Sequence, residues 1–223
     1  MEPTLPPGTL ESKIFDGMTI AKGGDFFCFL GAIHIGMESL IRENAQRFVD
    51  SIAALASKEV VFIHDDCSAM IAKVKEYGIE IPFKAVHLIE YLVKYLKGHQ
   101  KEIAKLNKKI AYQRPCASRY TPEKEPILDE LFNLIGVERV DRKYDRTDAL
   151  CCGGIFTRSM PEKVRWIQKE NLEDARSHQA QAIIFLCPLC IMSLGNMCKD
   201  YGFSPILITD LCRMAIGEIP LTF

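Results

Sequence analysis

The chain has 223 residues, enough for one large domain or two small ones. Apolar residues make up 48% and charged residues 26%, the balance of a globular protein that buries a core. A net charge of −1 removes any electrostatic case for binding nucleic acid or an anionic membrane surface.

The opening MEPTLPPGTLESK has no basic stretch followed by an apolar core, so no secretory signal is read there. Its prolines predict a mobile tail over residues 1–14, or an arm laid on a partner. Between Gly36 and Ser57, the apolar residues Leu40, Ile41, Phe48, Ile52 and Leu55 recur at helical spacing. EVVFIHDD reads as a short strand buried on both faces and ending at His64. His87 is expected at a helix start or in the core. The charged stretch from Lys94 to Lys109 reads as a solvated helix or connector, and the domain boundary is placed there.

In the second half, KKIAYQRPC predicts a strand leading to Cys116, followed by a loop and a helix that ends near Gly136. Met160 to Arg176 carries Val164, Ile167 and Leu172 at helical spacing, with Pro161 suited to a first turn. AIIFLCP is the next strand, ending at Cys187. Strands that alternate with helices predict an α/β fold with small parallel sheets and ligand loops at the carboxyl ends of the strands. No apolar run reaches the length of a membrane span.

Five cysteines stand at a regular spacing. Thirty-four residues separate Cys116 from Cys151, and thirty-four separate Cys152 from Cys187, with Cys190 closing a CPLC run. Two adjacent cysteines followed by two glycines make a poor core, since glycine adds no packing and costs backbone entropy. They make a good metal-ligand loop, because glycine lets the backbone approach a cluster and its amide can donate to sulfur. Nine cysteines without an export signal are expected as reduced thiols or ligands in the cytoplasm, not as disulfides. Cys198 and Cys212, in apolar helical context, are expected to be small buried hydrophobes.

The sequence also repeats itself at an offset of 123 residues. Cys28 falls on Cys151, His64 on Cys187 and Cys67 on Cys190, and KEYGI resembles KDYGF one residue out of register. The first copy is degenerate: it reads CFLG where the second reads CCGG, and HDDC where the second reads CPLC. The expected organisation is a tail at 1–14, a truncated degenerate half at 15–107 and an intact half at 108–223, the two halves being pseudo-repeats.

The pattern around DALCCGG and FLCPLC resembles the CCG (cysteine-rich) domain family, which includes the B subunit of heterodisulfide reductase. The resemblance covers roughly residues 108 to 215. It implies one 4Fe-4S cluster, noncubane in the heterodisulfide reductase members, held by Cys116, Cys151, Cys152, Cys187 and Cys190. It further implies the iron–sulfur subunit of a heterodisulfide reductase-like oxidoreductase complex, reducing a disulfide or relaying electrons. Iron–sulfur and flavin subunits resembling heterodisulfide reductase A and C are then the partners, and a small thiol or disulfide the substrate.

Full-length B subunits of that family resemble two complete copies, and this chain departs from them in its first half. Spacing alone specifies only a thiolate metal site. The alternative is a structural zinc subunit that assembles a larger enzyme without redox chemistry of its own. A second, minor zinc site is conceivable at Cys28, His64 and Cys67, with Asp65, Asp66 or His34 as the fourth ligand. A thioredoxin-like reading of Cys187 and Cys190 leaves the other three cysteines unexplained. No GxGxxG or GxxxxGK[ST] run is present, so a nucleotide or flavin would bind another chain.

Overall fold

The computed structural model describes residue 5 and residues 8–223. The tail expected over 1–14 therefore lies partly outside the described residues. Of the remainder, Ser12 accepts from the Ile14 amide and donates to Glu218, while Ile14 and Phe15 pack into the main core.

Among the described residues, two parallel sheets carry the fold. In the first half, β1 (Glu59–Phe62) pairs with β2 (Lys84–His87), Glu59 opposite Lys84. In the second, β3 (Lys108–Gln113), β4 (Val137–Arg139), β5 (Ala182–Phe185) and β6 (Ser204–Leu207) lie in the order β4-β3-β5-β6. All of their pairings are parallel. The helices are α1 (Glu38–Ala53), α2 (Asp65–Glu76), α3 (Leu88–Gly98), α4 (Glu125–Ile135), α5 (Pro161–Ser177), α6 (Pro188–Asp200) and α7 (Ile208–Ala215). This is the mixed α/β architecture the alternating pattern predicts.

The repeat is visible element by element. The starts of α1, β1 and α2 precede those of α5, β5 and α6 by 123 residues each. Backbone detail follows the same offset: Ala56 and Gln179, just past α1 and α5, both take positive φ, at 53° and 60°. Strands β3 and β4 fall outside the repeat. They widen the second sheet to four strands, while the first has two among the described residues.

Local sequence explains each element. On α1, Ile41, Ala45, Phe48, Val49 and Ile52 form one buried stripe, and the helix ends before Leu55, which is 44% exposed. Strand β5 is buried along its whole length. Strand β1 is not: Glu59 is exposed and only Phe62 is fully buried, so it departs from the expected two-sided burial. The reason is that β1 has β2 as its strand neighbour, whereas β5 lies between β3 and β6. Helix α4 opens with a proline in its first turn and stops at Gly136, whose φ of 70° suits glycine and whose amide caps Phe132 and Asn133. The charged stretch from Lys94 onward divides: α3 runs to Gly98, a short 3-10 turn covers Gln100–Glu102, and β3 begins at Lys108.

Among the described residues, three apolar clusters fill the interior. One belongs to the first half, with Phe48, Phe62 and Met70, and one to the second, with Phe185, Leu194 and Phe203. The largest lies between them and takes residues from both: Leu88, Ile89 and Leu92 of α3, Leu131 and Phe132 of α4, and Ile208 and Leu211 of α7. Cys198 and Cys212 are wholly buried among apolar neighbours, as expected. No helix among the described residues is long and apolar enough to cross a membrane.

Because that central cluster joins the halves, truncating it should weaken both together. Leu92→Ala, at a fully buried site, is expected to lower unfolding free energy by about 2–5 kcal/mol. Denaturant titration followed by far-UV circular dichroism and by tyrosine fluorescence should show one shifted transition for both signals.

Candidate metal centre

The cysteine loops meet at the carboxyl ends of the parallel strands. Cys116 lies three residues past β3, in a 3-10 turn Cys116–Tyr120. Cys187 is the N-cap of α6, two residues past β5, and places Cys190 in the first turn of that helix. Cys151 and Cys152 arrive on the loop that joins β4 to α5.

The five thiols form an unbroken chain of contacts. Cys116 donates to Cys151 across 3.3 Å. Cys151 also meets Cys152, Cys152 meets Cys190, and Cys190 meets Cys187. The chain ends on His64, whose Nε2 lies 3.6 Å from the Cys187 sulfur. Cys28 and Cys67 are buried together in the first-half core, and the two thiols interact with each other.

Crowded thiols cannot all ionise, since each thiolate raises the pKa of its neighbour. The structure resolves this by alternation. Cys151 is pulled down to about 2, mainly because the Cys116 and Cys152 thiols donate to it. Cys187 is pulled down to about 5, first by the Cys190 thiol and then, against burial, by His64. Cys116, Cys152 and Cys190 are pushed up in turn, each chiefly by a neighbouring thiol. Ionising the full set requires cations among the sulfurs.

That donor set suits soft, thiophilic metal. Among the described residues, no group of three or more His, Cys, Asp or Glu side chains is arranged to hold a single metal ion.

The backbone around Cys151 and Cys152 is tightly held. The Gly153 amide donates to the Cys151 sulfur at 3.3 Å. The Cys152 carbonyl accepts from Gln168 Nε2 at 2.8 Å and from Ser193 Oγ at 2.9 Å. The Leu150 carbonyl accepts from Gln113 Nε2 at 2.9 Å, and Gln113 Oε1 accepts in turn from Asn171 at 2.6 Å. Arg142 supports the far side, donating to Asn171 and to the Tyr112 carbonyl. Gln168 and Asn171 lie three residues apart on the buried face of α5, so one helix positions both carbonyls.

Gly153 is the closest-packed point of the loop. Its φ is 79°, and a Cβ there would lie 2.4 Å from Val164 Cγ1 of α5. Gly154 meets no such limit, its nearest neighbours being 3.6 Å away.

The first half supports the Cys116 loop. Asp65, 1% exposed, accepts from Ser118 Oγ at 3.2 Å on one carboxylate oxygen and meets His87 Nε2 at 3.1 Å on the other. His87 Nδ1 accepts from the Ile89 amide at 3.1 Å as the N-cap of α3, so Nε2 carries the proton that Asp65 receives. His34 stands within electrostatic reach of Cys151 and Cys187, and its pKa is lowered by burial and by Arg119.

Gln113, Gln168, Asn171 and Ser193 were not singled out in the sequence, and Asp65 was named there only as a candidate fourth zinc ligand. The available signal was the pair of polar residues, Gln168 and Asn171, that interrupts the apolar stripe Val164, Leu172, Ala175 of α5. A buried amide on such a stripe needs a partner, and here the partners are the Cys151–Cys152 loop and the residue that braces it.

Comparison with known proteins agrees with the geometry. Residues 110–195 match the family model of the CCG cysteine-rich domain. The chain is similar to the D subunit of the dihydromethanophenazine:CoB–CoM heterodisulfide reductase of Methanosarcina acetivorans, 25% identical over 170 residues. Its counterpart in Methanosarcina mazei is 24% identical over 170 residues. Each alignment covers 74% of this chain and 41% of the relative, so the chain spans about two fifths of the length of these relatives.

The close approach at Gly153 generates a paired expectation. Gly153→Ala should destabilise by about 2–4 kcal/mol, adding overpacking to the cost of a Cβ at positive φ. Gly154→Ala should stay within about 1 kcal/mol of the parent. Thermal and denaturant unfolding of the metal-free variants compares them. Equal losses would contradict the packing argument.

Proposed function

With a CCG cysteine-rich domain at residues 110–195 as premise, we propose that this chain is the iron–sulfur subunit of a heterodisulfide reductase-like redox complex. Cys116, Cys151, Cys152, Cys187 and Cys190 are its ligand set, for one 4Fe-4S cluster. The observation that carries the reading is the chain of five contacting thiols, drawn from three loops at one rim of a parallel sheet. Similarity to a heterodisulfide reductase subunit supports the setting, a complex in which other subunits supply electrons.

A bound cluster would supply one-electron transfer. The chain's own residues do the rest. The Gly153 amide donates to the Cys151 sulfur and spreads its charge. Gln168 and Ser193 fix the Cys152 carbonyl, and with it the direction of two adjacent thiols. Burial of Cys152, Cys187 and Cys190 below 10% exposure keeps water from most of the ligand set. Cys116 and Cys151 remain partly open, which puts the accessible side of the site at their end.

The same side is where a small thiol or disulfide would enter in the catalytic form of this reading. The relay form needs only a partner subunit. Exposed Ile155, Leu189 and Met192 flank the loops and supply apolar surface for such a partner's close approach. The division into a degenerate half at 15–107 and a ligand-bearing half at 108–223 belongs to the same proposal. In it the first half serves as wall and brace, with Cys28 and Cys67 as remnants.

Anaerobic reconstitution followed by iron, sulfide and zinc analysis tests this. About four irons per chain with matching sulfide are expected. Cys152→Ser should lose or convert the cluster, because a serine hydroxyl ionises far less readily than a thiol. One tight zinc and no iron would instead establish the structural alternative.

Catalysis and relay separate in a second measurement. Adding a small thiol to the oxidised protein should produce a new paramagnetic signal if the site takes substrate. An unchanged spectrum, together with reduction by a partner subunit, leaves relay alone.

A further inference from the structure

The repeat sets His64 opposite Cys187, its own counterpart 123 residues later, and the two side chains touch at 3.6 Å. Both are 5% exposed, so water does not compete for the contact. Both begin equivalent helices: His64 is the N-cap of α2 and Cys187 the N-cap of α6.

The tautomer of His64 follows from its other nitrogen. Nδ1 accepts the backbone N–H of Asp66 at 3.2 Å, the N-cap bond of α2. An acceptor nitrogen must hold a lone pair, so the ring proton resides on Nε2. Nε2–H therefore points at the Cys187 sulfur. Asp66 Oδ2, at 3.8 Å from Nδ1, is too distant to reverse that assignment.

We infer that His64 is a positioning residue for the ligand sulfur of Cys187, donating an Nε2–H···S hydrogen bond that raises the reduction potential of the centre. The inference rests on the ligand assignment proposed above. A hydrogen bond to a ligand sulfur withdraws electron density and favours the reduced, more negative state. The degenerate copy has thus lost a ligand position and supplies a donor to the intact copy's ligand. Nε2 carries a proton in this tautomer and in a charged ring alike, so the donor does not depend on the ring's charge. Asp65, Asp66, Cys28 and Cys187 are the ionisable groups around it.

Two readouts test this, neither of them turnover. In the metal-free full chain, ¹⁵N–¹H spectra optimised for imidazole couplings should give His64 a protonated Nε2 and a bare or only partly protonated Nδ1. Assignment comes from loss of the signal in His64→Leu. A neutral ring protonated only at Nδ1 would overturn the inference.

In reconstituted protein, the midpoint potential of His64→Leu should be more negative than the parent's at unchanged iron content. His64→Gln, which returns an N–H donor, should recover part of the shift. Equal potentials at full iron content would defeat the potential-setting role while leaving the ligand assignment intact. Failure of the parent to bind iron would defeat the ligand assignment and the potential-setting role with it. If His64→Leu fails to fold, the parent's tautomer still decides, and His64→Gln should lie more negative than the parent at unchanged iron content.

Discussion

Thiols in mutual contact repel one another once ionised, and the candidate centre is organised around that constraint. Cys151 and Cys187 are drawn down and Cys116, Cys152 and Cys190 pushed up, each chiefly by a neighbouring thiol. Everything near the site bears on that repulsion. The Gly153 amide and the His64 imidazole place donors on sulfur, and α6 presents its N-terminus to Cys187. Asp65, the buried carboxylate on the same rim, is turned to Ser118 and His87, so its charge is absorbed by donors of its own.

Holding charge in a crowded space requires a rigid frame, and the frame is built of amides and carbonyls. Gln113, Gln168, Asn171 and Arg142 form a buried polar layer behind the Cys151–Cys152 loop. Each such group is costly alone and stabilising when fully partnered. Their cost is met here because nearly every donor finds a carbonyl, the Arg142 Nε being one exception. The layer sits between the strand ends and α5, so a shift of that helix would move both cysteines at once.

Long periodic segments were legible in the sequence: α1, α4, α5 and strand β5 occupy the stretches their patterns mark. The five cysteines were legible for a different reason, since their spacing carries chemistry independent of helix or strand preference. Strands β2 and β6 were not, because KAVH and SPIL, unlike the unbroken apolar run AIIF of β5, carry no pattern to read. Pro205 argues against a strand, yet β6 lies at the sheet edge, where a missing amide is tolerated. The braces were hidden as well. Asp65 and Ser118 are 53 residues apart, and only the fold brings a first-half carboxylate to the Cys116 loop. His64 read as a vestigial ligand because sequence gives its position in the repeat and says nothing of where its two nitrogens point.

The pairing of His64 with Cys187 also carries a record of how such a fold can change. In an assembly of identical subunits, a residue that meets its own counterpart offers the same side chain twice. Selection there chooses between two cysteines or two histidines and has no way to obtain one of each. Once both copies reside in a single chain, each position mutates alone, and an unlike pair becomes accessible. A histidine facing a cysteine at matched positions is a contact that two copies within a single chain make available.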